Sequence, residues 1–98
     1  MNSPLSDQDR TQALAECLNN GWSVRQDRDA ITKSFSFGNF IETFGWMSKV
    51  ALWAEKLNHH PEWFNVYSTV EVTLSTHDAG VVTNLDLDIA REMNQKNK

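Results

Sequence analysis

The sequence predicts an α+β fold in which three helices pack on one face of a four-stranded antiparallel sheet. The apolar residues alternate between helical spacing and a period of two, and the order of these segments is α-β-β-α-β-β-α. Mainly turns separate the short strands, which favours antiparallel pairing. The 98 residues are 40% hydrophobic and include four Trp and five Phe, enough for one core. We therefore expect a single domain over residues 1–98.

The first half of the chain predicts a helix followed by two strands. Ser6 resembles the start of a capping box, and the helix that it opens runs to Asn20 before Gly21 ends it. Apolar and polar residues then alternate over 22–25 and again over 31–37, which predicts two strands joined by a turn.

The second half begins with the longest predicted helix, from Phe40 to Leu57. Beyond the loop 58–61, apolar residues occupy even positions over 64–75, which predicts one bent strand or two short ones with that side facing the core. Thr83 has Asp86 three residues later, so the last helix also starts with a capping-box spacing.

The helix from Phe40 to Leu57 has more apolar surface than one sheet can cover. We expect a first row to pack on the sheet: Phe40, Phe44, Met47, Ala51 and Ala54. A second row would remain: Trp46, Val50, Trp53 and Leu57. If this row meets its copy in another subunit, the protein is a homodimer or homotetramer through helix 40–57. The alternative is that other elements of the same chain cover it.

Charge and composition exclude several classes of protein. The formal charge is −4 and the nine Lys and Arg are scattered, so we expect no direct binding to nucleic acid. The single cysteine, Cys17, cannot form an intramolecular disulfide, which is typical of a reducing compartment. The polar start of the chain and the lack of a long apolar run predict a cytoplasmic protein with no membrane segment.

All three histidines, His59, His60 and His77, fall within a short stretch of predicted loops and strand ends. Histidine exchanges protons near neutral pH, so the cluster indicates proton transfer, although surface or structural histidines would give the same spacing. Adjacent loop residues point in opposite directions, so His59 and His60 are poorly placed to share a metal ion. Cys17 lies in a predicted helix, and no serine sits in a glycine-flanked elbow, which disfavours a nucleophilic mechanism.

Two segments together resemble the signature of the pterin-4a-carbinolamine dehydratases. They read EKLNHHPEWFNVY at residues 55–67 and LSTHDAG at 74–80, and Asp86 follows at the matching distance. Weaker similarity covers nearly the whole chain. The sequence departs from the family where Asn58 replaces a common aspartate and where Val81 replaces a common glycine.

The resemblance implies a lyase that dehydrates a 4a-hydroxytetrahydropterin to a quinonoid dihydropterin without a metal or organic cofactor. His59 and His77 match the acid–base histidines of the family, and His60 matches the histidine that mainly binds and orients the pterin. Family substrate-site positions are also matched by Trp22, Glu55 and Asp86.

Structural alternatives stay open for these last three residues. Trp22 could belong to the core, Asp86 could serve only as a capping residue, and Glu55 could be an ordinary solvated helix residue. The resemblance also leaves two other functions open. One is a non-catalytic dimerisation cofactor of a transcription regulator, which would use helix 40–57, and the other is a pterin-binding protein linked to molybdopterin function.

Overall fold

A computed structural model of the chain describes residues 5–76 and 79–96. Its elements are α1 (Asp7–Asn19), β1 (Ser23–Val24), β2 (Ile31–Ser36), α2 (Phe40–Leu57), β3 (Glu62–Val66), β4 (Thr69–Leu74) and α3 (Asn84–Lys96). All strand pairs are antiparallel and the sheet order is β1-β2-β4-β3. The predicted α+β fold and its element order are confirmed.

Polar side chains start the first two helices where the sequence predicts. The hydroxyl of Ser6 accepts a hydrogen bond from the backbone N–H of Asp9 at 3.2 Å. The side-chain oxygen of Asn39 accepts one from the N–H of Glu42 at 2.8 Å. Each bond satisfies an N–H group that has no partner inside its helix, so these two residues set where α1 and α2 begin.

The hairpin of β3 and β4 corrects the predicted pattern of residues 64–75. Tyr67 and Ser68 form a two-residue turn, so Val66 pairs with Thr69 and each even residue of β3 faces an odd residue of β4. Directly paired residues share one face of a sheet. Phe64 and Val66 are therefore on the outer face, 66% and 58% exposed, and the prediction that they face the core was wrong.

The prediction was right for β4, where the even residues Val70, Val72 and Leu74 are all buried. They face the core between the sheet and the helices. Phe35 of β2 lies in the same core, with its ring centroid 5.8 Å from that of Trp22 and 4.6 Å from that of Trp46. This aromatic cluster joins the sheet to α2.

The prediction for the two apolar rows of α2 was partly wrong. Ala54 of the first row is buried as expected, whereas Phe40 and Phe44 of that row are exposed. The row that packs in the core contains Thr43, Trp46, Val50 and Ala54. The row that faces outward contains Phe40, Ile41, Phe44 and Leu52, which are 44–82% exposed. The buried row includes a threonine, so the spacing of apolar residues alone did not identify it as the core face. The hydroxyl of Thr43 donates to the carbonyl of Asn39 at 2.7 Å, which allows this polar side chain to be buried.

Candidate active site

The end of α2 places the paired histidines. Asn58 adopts a left-handed conformation with φ of 52° and ψ of 43°, which stops the helix. The next N–H, that of His59, donates to the carbonyl of Ala54 at 2.9 Å. The chain therefore turns sharply, and the side chain of His59 becomes buried whereas that of His60 stays exposed. Asparagine tolerates this backbone conformation better than most residues do.

His59 is joined to Asp86, which lies 27 residues further along the chain. Nε2 of His59 is 2.5 Å from Oδ1 of Asp86. The histidine side chain is 8% exposed and the aspartate side chain is 0% exposed. A buried imidazole on a buried carboxylate is held in one orientation, as a group that transfers protons to a bound molecule must be.

The second carboxylate oxygen of Asp86 has partners of its own. Oδ2 accepts the backbone N–H of Thr83 at 2.8 Å and the hydroxyl of Thr76 at 2.9 Å. The hydroxyl oxygens of Thr76 and Thr83 are 2.6 Å apart. Asp86 thus acts as the capping residue of α3 through one oxygen and contacts His59 through the other.

His60 and Glu55 form a second pair at the surface. Nε2 of His60 is 3.0 Å from Oε1 of Glu55, which is one helical turn before it. Both side chains are well exposed, so either could be reached by a molecule from solvent. The predicted site residues therefore fall into a buried pair, His59 with Asp86, and an exposed pair, His60 with Glu55.

Trp22 contacts a different set of residues. Its side chain is 2% exposed, and its ring packs edge-on against Phe35. Its Nε1 donates to Oδ1 of Asn94 at 3.2 Å, and the same oxygen accepts a hydrogen bond from Nζ of Lys33 at 2.8 Å. In this structure Trp22 is a core residue that links the sheet to α3.

The predicted catalytic residue His77 lies outside the described residues, as does Asp78. The residue before them, Thr76, is anchored on both of its backbone groups. Its N–H donates to the carbonyl of Val81 at 3.1 Å, and its carbonyl accepts the N–H of Gly80 at 2.8 Å.

Two threonines of the site, Thr76 and Thr83, received no catalytic role from the sequence. Thr83 was identified as the start of a capping box with Asp86, and that spacing was the available signal. Thr76 lies in the family-like segment 74–80, but the spacing of the residues gave no signal for its contact with Asp86, which depends on how the chain folds between β4 and α3.

Other charged or reactive side chains have structural partners or are shielded. Arg28 binds Glu62 through two hydrogen bonds of 2.6 and 2.9 Å, which joins the β1–β2 connection to the first residue of β3. Burial raises the pKa of the Cys17 thiol, which makes it a poor nucleophile.

Over residues 5–76 and 79–96, no three His, Cys, Asp or Glu side chains are placed to hold a metal ion together. Within the same ranges, no helix is both long and apolar enough to cross a membrane.

Comparisons with known proteins agree on one family. The model of the family described as pterin 4 alpha carbinolamine dehydratase matches residues 3–96. A protein from Roseobacter denitrificans is 52% identical over 93 residues, which is 95% of each chain. One from Rhodopseudomonas palustris is 58% identical over 90 residues, covering 92% of this chain and 87% of its own. Both are named as provisional pterin-4-alpha-carbinolamine dehydratases.

Solved structures extend the likeness to the fold. The crystal structure of a transcriptional coactivator/pterin dehydratase from Brucella melitensis superposes with a TM-score of 0.89 at 46% identity, over 97% of this chain and 99% of that chain. A pterin dehydratase-like RuBisCO assembly factor of the alpha-carboxysome has a TM-score of 0.67 at 18% identity, over 80% of this chain and 94% of its own, which shows a shared fold. The resemblance seen in the sequence is confirmed, and this chain belongs to the pterin-4a-carbinolamine dehydratase family.

Proposed function

We propose that this protein is a cytoplasmic lyase that converts 4a-hydroxytetrahydrobiopterin, or a related 4a-hydroxytetrahydropterin, to quinonoid dihydropterin and water. The reaction would recycle tetrahydrobiopterin after aromatic amino acid hydroxylation. The observation that carries the proposal is the buried pair of His59 and Asp86, because it supplies an oriented proton-transfer group in a chain of this family.

The dehydration needs two proton transfers. An acid gives a proton to the 4a-hydroxyl, and the bond from carbon to that oxygen breaks with its electron pair moving to the departing water. The lone pair of the neighbouring ring nitrogen forms a carbon–nitrogen double bond, and a base removes the proton from that nitrogen. The protein gives one proton and receives one, so no oxidant, reductant or metal is required. We assign these two roles to His59 and His77.

The exposed pair would bind and orient the pterin. The imidazole of His60 and the carboxylate of Glu55 can exchange their mutual hydrogen bond for bonds to ring nitrogens or to the amino group of a pterin. Asp86 would act through His59, since both of its oxygens already accept hydrogen bonds. A substrate contact of Trp22 stays a prediction, and its buried ring would have to line the site from the core side.

The test is a stopped-flow assay with freshly generated 4a-hydroxytetrahydropterin. We expect the intermediate to decay faster with catalytic amounts of the protein than in buffer alone. A protein of similar charge serves as the control for general buffer catalysis. Equal decay rates with and without the purified, folded chain would refute the proposed function.

The outward face of α2 supports a second candidate function, which is association with copies of the chain or with a transcription regulator. Its apolar residues Phe40, Ile41, Phe44 and Leu52 are exposed and lie on one helix. The related Brucella melitensis protein is described as a transcriptional coactivator as well as a pterin dehydratase. We propose that α2 mediates assembly of a homodimer or homotetramer, whose helix face could also receive an apolar helix of a regulator.

A further inference from the structure

The hydrogen bonds around Asp86 have directions that follow from the number of hydrogens available. A carboxylate accepts hydrogen bonds, so the hydroxyl of Thr76 donates its single hydrogen to Oδ2 at 2.9 Å. The contact of 2.6 Å between the hydroxyls of Thr76 and Thr83 then requires Thr83 to be the donor. The result is an ordered series of donors from Thr83 to Thr76 to Asp86.

The same reasoning applies to His59 on the other side of the carboxylate. Oδ1 of Asp86 accepts, so the hydrogen of this 2.5 Å contact belongs to Nε2 of His59. The remaining ring nitrogen, Nδ1, is then free of a hydrogen when the imidazole is neutral and carries one when it is protonated. Nδ1 is therefore the atom through which His59 can act as a base or an acid.

The cap of α3 uses only one of the two hydroxyls, since that of Thr83 accepts the backbone N–H of Leu85 at 3.3 Å. A second capping bond runs from the backbone N–H of Thr83 to Oδ2 of Asp86 at 2.8 Å and would form with any residue at position 83 other than proline. Thr76 lies before α3 and adds nothing to the cap, yet it is buried and points its hydroxyl at the same oxygen. The hydroxyl of Thr76 therefore restrains the carboxylate directly, and that of Thr83 does so through Thr76.

We propose that Thr76 and Thr83 are positioning residues that fix Asp86, and through it hold His59 with its hydrogen on Nε2, so that Nδ1 exchanges the proton with the pterin. The part that concerns the pterin rests on the proposed function. The placement of the hydrogen on Nε2 is a property of the free protein and can be measured without substrate.

The first experiment determines the tautomer of His59. Long-range proton–nitrogen NMR spectra of the 15N-labelled full chain distinguish a protonated ring nitrogen from an unprotonated one, and a His59→Gln variant assigns the signals. We expect the hydrogen of neutral His59 on Nε2. A neutral ring with its hydrogen on Nδ1 would overturn the proposal.

The second experiment separates positioning from stability. Thr76→Val and Thr83→Val keep the shape of the side chain but remove the hydroxyl, and Thr76→Ser and Thr83→Ser restore it. We expect kcat of each valine variant to fall about 10-fold with little change in KM, and the serine variants to recover most of it. The Nε2 hydrogen of His59 should also exchange faster with water in the valine variants.

Thr43→Val is the matched control, since Thr43 is equally buried and its hydroxyl donates to the carbonyl of Asn39 in the first turn of α2. We expect this variant to lose stability without a change in kcat or in the exchange of the His59 hydrogen. Folded valine variants at positions 76 and 83 with the exchange rate of the wild type would refute the positioning role. Because the NMR measurements need no substrate, they decide this point even if the chain proves inactive on the pterin.

Discussion

Asp86 shows how one side chain can meet a structural and a chemical requirement together. The sequence left a capping role and a site role as alternatives, and the structure shows the capping bond on one carboxylate oxygen and a contact with His59 on the other, so the two roles are compatible. A buried carboxylate is costly unless several donors surround it. The N–H of Thr83 and the hydroxyl of Thr76 stabilise the carboxylate that His59 requires.

The paired histidines should differ in what their loss changes. We expect His59→Gln to lower kcat by about 10²- to 10⁴-fold, because it removes an acid–base group while an amide can still contact Asp86. His60→Ala should mainly raise KM, since its exposed side chain is assigned to binding. Steady-state kinetics on the two folded variants checks both expectations, and a His59→Gln enzyme with the kcat of the wild type would contradict the assignment.

Asn58 departs from the family's common aspartate, and its left-handed backbone suggests a conformational role. We expect Asn58→Gly to keep kcat, because glycine adopts a φ of 52° without strain. Asn58→Ala should lower the free energy of unfolding by about 1 kcal/mol, since a Cβ carbon disfavours this conformation. Denaturant unfolding and kinetics on both variants test this. A glycine variant with a large loss of kcat would assign the Asn58 side chain to catalysis instead.

At the scale of elements, the local sequence was enough to predict where helices begin and end. It was not enough to predict which faces of β3 and α2 point toward the core. The start of α2 after Asn39 follows from capping chemistry, and its end at Leu57 follows from the break in apolar spacing. The faces of β3 and α2 depended on two details that periodicity does not contain. One is the two-residue turn at Tyr67, which changes which residues share a face, and the other is the satisfied hydroxyl of Thr43.

The contact between α1 and α3 includes an ion pair whose strength should depend on pH. Arg91 donates two hydrogen bonds to Glu16, and these lower the pKa of that carboxyl below its usual 4.5. The pKa of Glu16 is lower in the folded chain than in the unfolded chain, so the pair contributes its full stabilisation above pH 4.5. That contribution is lost as the pH falls through the folded-state pKa of Glu16.

A double-mutant cycle with Glu16→Gln and Arg91→Gln measures this pair by urea unfolding. Both side chains are largely exposed, so we expect a coupling free energy of about 0.5 kcal/mol at neutral pH. The coupling should shrink when the cycle is repeated below the ordinary carboxyl pKa of 4.5. A coupling that stays constant over this range would show that charge does not carry the interaction.

For the whole molecule, the catalytic family could be recognised from the sequence, whereas the surface available for assembly could not. Trp46 and Val50 were expected at a subunit interface and are in the core. The site likewise needed the fold, since the contact between Thr76 and Asp86 has no counterpart in the spacing of the residues. Helix 40–57 remains the proposed interface, but its exposed apolar side chains are different from those first expected.

The last prediction concerns this corrected surface. An exposed apolar row on one helix can be covered by the same row of a second copy related by two-fold symmetry. We expect the wild-type chain to sediment as a dimer or tetramer at micromolar concentration. Ile41→Lys with Phe44→Lys would place charges in that interface and shift the protein to a smaller species.

Leu18→Lys is the matched control for these variants, since Leu18 is an exposed leucine on α1, away from the row on α2. It should leave the sedimentation coefficient unchanged, because a charge on that helix does not enter the proposed interface. A wild-type chain that sediments as a monomer would contradict assembly through α2. An oligomer that the lysine pair on α2 leaves intact would place the interface on another part of the molecule.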